Sequence, residues 1–266
     1  MYPVNTFSDQ SPLIDAELEA QLTPLLRKLT GEITLCSIID PEEPTSRELA
    51  VFIRHFTRLS DKLSCEFYAP DENPAAKQKL NCPFLPATLL RKDGTYQNVS
   101  FHGIPGGKEI NAFVLALYNC ADPGRKLSPF LKKKIQALTS DITLNVCVSL
   151  SCHHCANLVA VCQQMALLNP HIRACAIDAR LYPEFVEAEK IERVPLLIIN
   201  NETRVLGDKS TEEVYALIKD LWCVCFSVFS VGLPYSRPTR SRLGFNVSSP
   251  GLQFAGHTSS PCSSAN

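Results

Sequence analysis

The 266-residue sequence predicts an α/β protein of two fused halves sharing one fold, each a mixed sheet with helices on both faces, plus a disordered C-terminal tail. Three observations carry that expectation: landmarks repeated at one spacing, strand and helix patterns in the same order in both halves, and a change of composition near the C-terminus. The first half contains Gly31-Glu32-Ile33-Thr34-Leu35 and the second Ser140-Asp141-Ile142-Thr143-Leu144, each after a basic amphipathic stretch ending Lys28-Leu29-Thr30 or Ala137-Leu138-Thr139. Further on, Leu85-Pro86-Ala87-Thr88-Leu89-Leu90 parallels Val194-Pro195-Leu196-Leu197-Ile198-Ile199. The separation from Thr34 to Thr143 equals that from Pro86 to Pro195, so two distant landmarks share one offset, as in a duplicated domain. The length agrees, since domains of roughly 100–200 residues imply about two. The expected boundaries are 15–122, 123–221 and a tail over 222–266.

Each half reads as strand, helix, strand, then a proline-led strand, a polar turn, another strand and a closing helix. In the second half Ile142, Leu144, Val146 and Val148 alternate with Thr143, Asn145, Cys147 and Ser149, the pattern of a half-buried strand. Leu158, Val161, Cys162, Met165 and Leu168 then fall on one helical face, which Asn169-Pro170 stops. His171 to Ile177 reads as a strand and Tyr182 to Glu189 as a short helix. Pro195–Asn200 and Thr203–Leu206 flank Asn200-Asn201 as a hairpin. Thr211 to Leu221 closes the unit, with Ser210 or Thr211 available as its cap. The order βαβ then ββα is that of the thioredoxin fold. From Cys223 the sequence turns rich in Ser, Pro, Gly and Arg with almost no acid. Such a stretch buries too little apolar surface to offset its ordering entropy.

Composition narrows the function. Lys plus Arg is 26 against 27 for Asp plus Glu, a balance that argues against general binding to nucleic acid or a membrane surface. The N-terminus lacks the basic start and apolar block of a secretory signal. The longest apolar stretch, Leu221 to Leu233, falls short of the ~20 residues a bilayer span needs. A cytoplasmic protein is expected. The 12 cysteines are too dilute and irregular for a disulfide-stapled scaffold and mostly sit in apolar runs. Cys147, Cys162 and Cys175 read as packing residues, and Cys223 and Cys225 as incidental. Cys36, Cys65, Cys82 and Cys120 lack a C-x-x-C partner, and Glu43 and Ser46 stand at the first-half positions corresponding to Cys152 and Cys155, so that half reads as redox-silent.

The exception is Ser151-Cys152-His153-His154-Cys155, set where a strand ends and a helix begins. A cysteine there has its thiolate stabilised by unpaired N–H groups and the helix dipole, below the usual ~8.5. The two-residue spacer brings both sulfurs within disulfide reach. Cys152 is the expected nucleophile and Cys155, deeper, the resolving thiol; His153 and His154 add donors and, when protonated, positive charge. In a thioredoxin fold a cis-proline faces the C-x-x-C, which nominates Val194-Pro195 as the place where an extended substrate pairs. A zinc reading of the pair needs a second Cys or His pair with ligand spacing, and the sequence shows none.

Val148-Ser149-Leu150-Ser151-Cys152-His153-His154-Cys155, with Met165-Ala166-Leu167-Leu168-Asn169-Pro170 and Ala176-Ile177-Asp178, resembles the N-terminal domain of the flavoprotein component of bacterial alkyl hydroperoxide reductase. So does Gly107-Lys108-Glu109 leading into Phe113-Val114-Leu115-Ala116-Leu117. The similarity covers about residues 15 to 221. Two departures are His154, where the family usually has Asn, and Ala156, where it often has Pro. The resemblance implies two fused thioredoxin folds of which only the second keeps its cysteine pair. It also implies a dithiol that takes electrons from a flavin-dependent disulfide reductase and passes them to a peroxiredoxin, the peroxide-reducing component of the same system. Glu109 matches an acidic residue that the family places near the disulfide, where it could take or supply the thiol proton; the other reading is a solvated carboxylate at a helix N-terminus. The family continues into FAD- and NADH-binding domains opened by G-x-G-x-x-G/A turns. Gly106-Gly107 and Gly232 form no such cluster, so no cofactor is expected on this chain and the sequence after Leu221 reads as a departure from the family. The alternative to the shuttle is a non-catalytic docking module whose cysteines are structural or zinc-bound.

Overall fold

The computed structural model describes residues 1–227 apart from Asn81, Asp122 and Pro123; the disorder expected of the tail falls, beyond Ser227, outside the described residues. The first half runs α1 (Ala16–Leu26), β1 (Ile33–Ile38), α2 (Pro44–Thr57), β2 (Leu63–Tyr68), α3 (Pro74–Lys79), β3 (Ala87–Lys92), β4 (Thr95–His102) and α4 (Ile110–Ala121), the last entered through a 3₁₀ turn over Gly107–Glu109. The second runs α5 (Pro129–Gln136), β5 (Ile142–Val148), α6 (Cys155–Leu168), β6 (Ile172–Asp178), α7 (Pro183–Ala188), β7 (Leu196–Ile199), β8 (Thr203–Leu206) and α8 (Thr211–Ser227). Helix α8 continues six residues past the expected end at Leu221. No helix among the described residues is long and apolar enough to cross a membrane.

Local chemistry sets the boundaries. Asp15 accepts the Leu18 N–H at 2.8 Å to start α1, and Ser128 accepts the Leu131 N–H at 3.2 Å to start α5. Ser210 accepts from the Glu213 N–H at 3.2 Å while Glu213 accepts from the Ser210 N–H at 2.7 Å, a reciprocal cap for α8. Asn200 and Asn201, with φ of 52° and 59°, form the mirror-image turn that a two-residue hairpin requires. Asp93 and Gly94, with φ of 50° and 74°, do the same between β3 and β4.

The strands form one sheet of order β2-β1-β3-β4-β6-β5-β7-β8. Within each half the pairing is the same: a parallel pair (β1 with β2, β5 with β6), then two antiparallel ones. Ile33 pairs with Leu63 and Ile142 with Ile172, counterparts at the offset seen in the sequence. The Pro86 carbonyl accepts from Gly103 N–H and the Pro195 carbonyl from Gly207 N–H, each at 2.9 Å. The halves meet where β4 and β6 pair in parallel, with Ser100 opposite Cys175 and His102 opposite Ile177.

Alternation gives the sheet two apolar faces. Leu35, Val99, Phe101, Leu144, Val146, Ala174, Ala176, Leu197 and Ile199 pack with α2, α4 and α6 in the main core. Phe52, Phe56, Phe101 and Phe113 interlock there, with Phe56 and Phe113 ring centres 4.9 Å apart; each buried ring contributes roughly 1.5–3 kcal/mol. On the opposite face Ile38 and Leu89 meet Ala76 of α3, and Cys147, Leu196 and Ile198 meet Phe185 of α7. Helices thus cover both faces.

Candidate functional site

Strand β5, paired on both sides, ends at Val148 and α6 begins at Cys155, so the intervening loop lies at the C-terminal end of an interior strand. The Ser149 carbonyl accepts the Cys152 N–H at 2.9 Å, curling the loop toward the helix. Cys152 and Cys155 form a disulfide with Cα atoms 5.6 Å apart. Cys155 is fully buried, Cys152 half-buried, and His153 and His154 are exposed. No side chain caps α6, so its first N–H groups are left to favour negative charge on the nearby sulfur. The sulfurs of Cys152 and Cys155, being bonded to each other, are not available as thiolate ligands in this state.

Val194–Pro195 is cis, as is Leu85–Pro86 in the first half. Val194 is half-buried and, like Cys152, packs at the margin of the main core, while Pro195 is buried.

Glu109 lies in the 3₁₀ turn ahead of α4, and its preceding residue binds the redox loop: Lys108 N–H donates to the Leu150 carbonyl at 2.9 Å. The solvated alternative for Glu109 does not hold. Its carboxyl is buried and neither oxygen has a hydrogen-bond partner. Burial, reinforced by the negative charge of Asp178, pushes its pKa up to about 8, so at neutral pH the group is mostly a protonated acid. Asp178, itself raised by burial, ends β6 opposite Val148. Sequence reasoning assigned Asp178 no part; its one signal is a carboxylate closing an otherwise apolar strand.

Among the remaining cysteines, burial pushes the thiols of Cys36 and Cys147 up to about 12 and Cys120 up to about 11, and it raises Cys162 as well. These are poor nucleophiles at neutral pH. Cys82, which has no C-x-x-C partner, and Cys175, buried in β6 as a packing residue, also come together across the sequence: their sulfurs lie 3.6 Å apart, beside His102. Distant segments supply these three groups, so local ligand spacing could not reveal them.

A Cβ on Gly107 would come within 2.8 Å of the Leu150 carbonyl oxygen, so the glycine serves the close approach of the Cys152 loop.

This fold, with its doubled strand order and a C-x-x-C disulfide at the start of a helix, defines a tandem thioredoxin-fold protein. Residues 142–219 match the Thioredoxin_3 family, described as a thioredoxin domain. The N-terminal domain of the alkylhydroperoxide reductase AhpF from Enterococcus faecalis is 34% identical with a TM-score of 0.73, the match covering 76% of this chain and 98% of that one. The chain belongs to the AhpF family of alkyl hydroperoxide reductase proteins, as a relative of their N-terminal domain. The Pseudomonas putida member is 31% identical over 206 residues, 77% of this chain and 37% of that protein, so the chain spans just over a third of its curated relatives' length. A protein disulfide oxidoreductase from Aeropyrum pernix shares the fold at 18% identity, with a TM-score of 0.69.

Proposed function

We propose that the chain is a thiol–disulfide oxidoreductase of peroxide detoxification, carrying two electrons at a time through Cys152 and Cys155 to a peroxiredoxin. The observation that carries this reading is the Cys152–Cys155 disulfide itself, with one sulfur half-exposed and the other enclosed. From the reduced state, the Cys152 thiolate attacks one sulfur of the partner's disulfide, forming a mixed disulfide and releasing a partner thiolate that takes up a proton. The Cys155 thiolate then attacks Cys152 Sγ, closing the internal disulfide and releasing the second partner thiolate. Two electrons have left the pair and the partner's disulfide is now a dithiol. Glu109, protonated at neutral pH, is the proposed proton source for the leaving thiolate. His153 and His154 line the exposed side of the pair, and Val194-Pro195 offers backbone to an extended partner segment.

The disulfide is returned to the dithiol by exchange with the dithiol of a flavin-dependent disulfide reductase, the donor that the sequence resemblance implies. The test mixes the reduced chain with an oxidised two-cysteine peroxiredoxin and follows thiol transfer by gel shift. Stoichiometric reduction of the peroxiredoxin is expected. Failure at equimolar concentration, with the Cys152–Cys155 pair verified as reduced, would remove the proposal.

A further inference from the structure

We propose that Cys82, His102 and Cys175 form a zinc-class metal site at the seam between the two halves, separate from the Cys152–Cys155 pair. Three segments converge there. Cys82 lies in the loop after α3, His102 ends β4, and Cys175 sits in the middle of β6. Because Val99, Phe101, Ala174 and Ala176 point into the main core, the alternating His102 and Cys175 side chains emerge on the other face of the sheet, under that loop. The three donor atoms all lie within 4.8 Å of one another.

The spacing is that of metal ligands. The Cys82 and Cys175 sulfurs are 3.6 Å apart. Two thiolates on one tetrahedral zinc, each at about 2.3 Å, stand about 3.8 Å apart, whereas a disulfide needs about 2.05 Å. The histidine is already oriented. Its Nδ1 lies 2.7 Å from the Phe84 carbonyl, which can only accept, so Nδ1 carries the proton and Nε2 the lone pair. The Ser100 hydroxyl, 2.9 Å from Nε2, donates to that lone pair and can rotate away when a metal takes it.

Access and ligand number also fit. His102 and Cys175 are buried, but Cys82 is half-buried and lines a cleft of about 450 Å³ with Ile38, Pro70, Lys77, Leu80 and Leu85. The cleft gives an entry path and leaves solvent for a fourth coordination position. Cys82 and Cys175 would bind as thiolates with no change in oxidation state, and any proton the three ligand groups hold leaves to solvent as Zn²⁺ binds. Cys82 and His102 belong to the first half and Cys175 to the second, so the metal would clamp the β4–β6 seam.

The test uses the full chain with Cys152→Ser and Cys155→Ser, reduced and under anaerobic conditions, so its outcome is independent of the redox proposal. Titration with Co²⁺ should give a thiolate-to-cobalt charge-transfer band saturating at one equivalent, displaced by Zn²⁺. Cys82→Ser, a change in a half-exposed loop, should keep the far-UV circular dichroism of the parent and weaken binding at least about 100-fold. His102→Gln should weaken it in the same direction. No charge-transfer band, or full-affinity binding retained in Cys82→Ser, would overturn the site.

Discussion

The backbone N–H of Lys108 donates to the carbonyl oxygen of Leu150 across 2.9 Å, so a turn of the half without a C-x-x-C pair holds the loop that carries Cys152. The turn allows no ordinary side chain at its start: Gly107 has φ of +53° and lies under the same carbonyl. Glu109 follows one residue after Lys108, buried and without a hydrogen-bond partner. The first half therefore contributes both support and a titratable group to the site.

Gly107→Ala should destabilise the chain by roughly 2 kcal/mol or more, because the left-handed conformation costs about 1–2 kcal/mol and the new methyl meets a backbone oxygen. Gly106→Ala is the control, since its added Cβ would find its nearest neighbours at 3.9 Å. Urea midpoints compare the two. Equal losses would mean that the close approach at Leu150 is not a constraint.

The two cysteines should fail in different ways. Cys152→Ser is expected to abolish exchange with the peroxiredoxin, because Cys155, the other sulfur of the pair, is fully buried and cannot meet the partner's disulfide in its place. Cys155→Ser is expected to accumulate a mixed disulfide through Cys152, visible on a non-reducing gel. Normal turnover by Cys155→Ser would reverse the assignment of roles.

Stability should fall with rising pH on account of Glu109. Its folded-state pKa is raised to about 8, chiefly by burial and then by Asp178. The native state thus holds this proton more tightly than the unfolded chain. The contribution is present in full below the ordinary carboxylate value of ~4.3 and is lost as pH rises toward 8. Glu109→Gln should match the parent near pH 4 and exceed it at pH 8.5 by on the order of 5 kcal/mol. Denaturant titrations at the two values decide it; a variant no more stable than the parent at pH 8.5 would show the group to be solvated.

Asn200→Ala should cost about 2 kcal/mol. It loses an acceptor for the Thr143 N–H, 2.8 Å away, and places alanine at φ of 52°. Asn200→Gly restores the backbone freedom but not the acceptor, so it should recover about half the loss. If Gly proves as costly as Ala, the hydrogen bond dominates and the turn conformation is immaterial.

Much of this architecture is legible locally. The alternation of Ile142 to Ser149, the 3.6-residue stripe from Leu158 and the Asn200-Asn201 turn are short-range patterns, and β5, α6 and the β7–β8 hairpin follow them. The shared Thr34–Thr143 and Pro86–Pro195 offset reveals the duplication, and the strand orders repeat accordingly. Long-range contacts left no such trace. Nothing around Ser100 or Cys175 announces that β4 pairs with β6, and only that pairing brings His102 and Cys82 to Cys175. The burial of Glu109 likewise depends on the redox loop packing over the Gly107 turn, a contact between segments some 40 residues apart. The continuation of α8 to Ser227 is hidden by the compositional change at Cys223, which reads as a boundary.

The parallel seam between β4 and β6 also bears on how the chain is made. On the ribosome the first half can complete its own four strands, yet the outer edge of β4 stays bare until β6 arrives, about 70 residues later. At ~5–20 residues per second, that leaves unpaired N–H and C=O groups open to stray strands for several seconds. The duplication doubled the fold but made its first copy a provisional one, finished only when the second copy lays down a strand beside it.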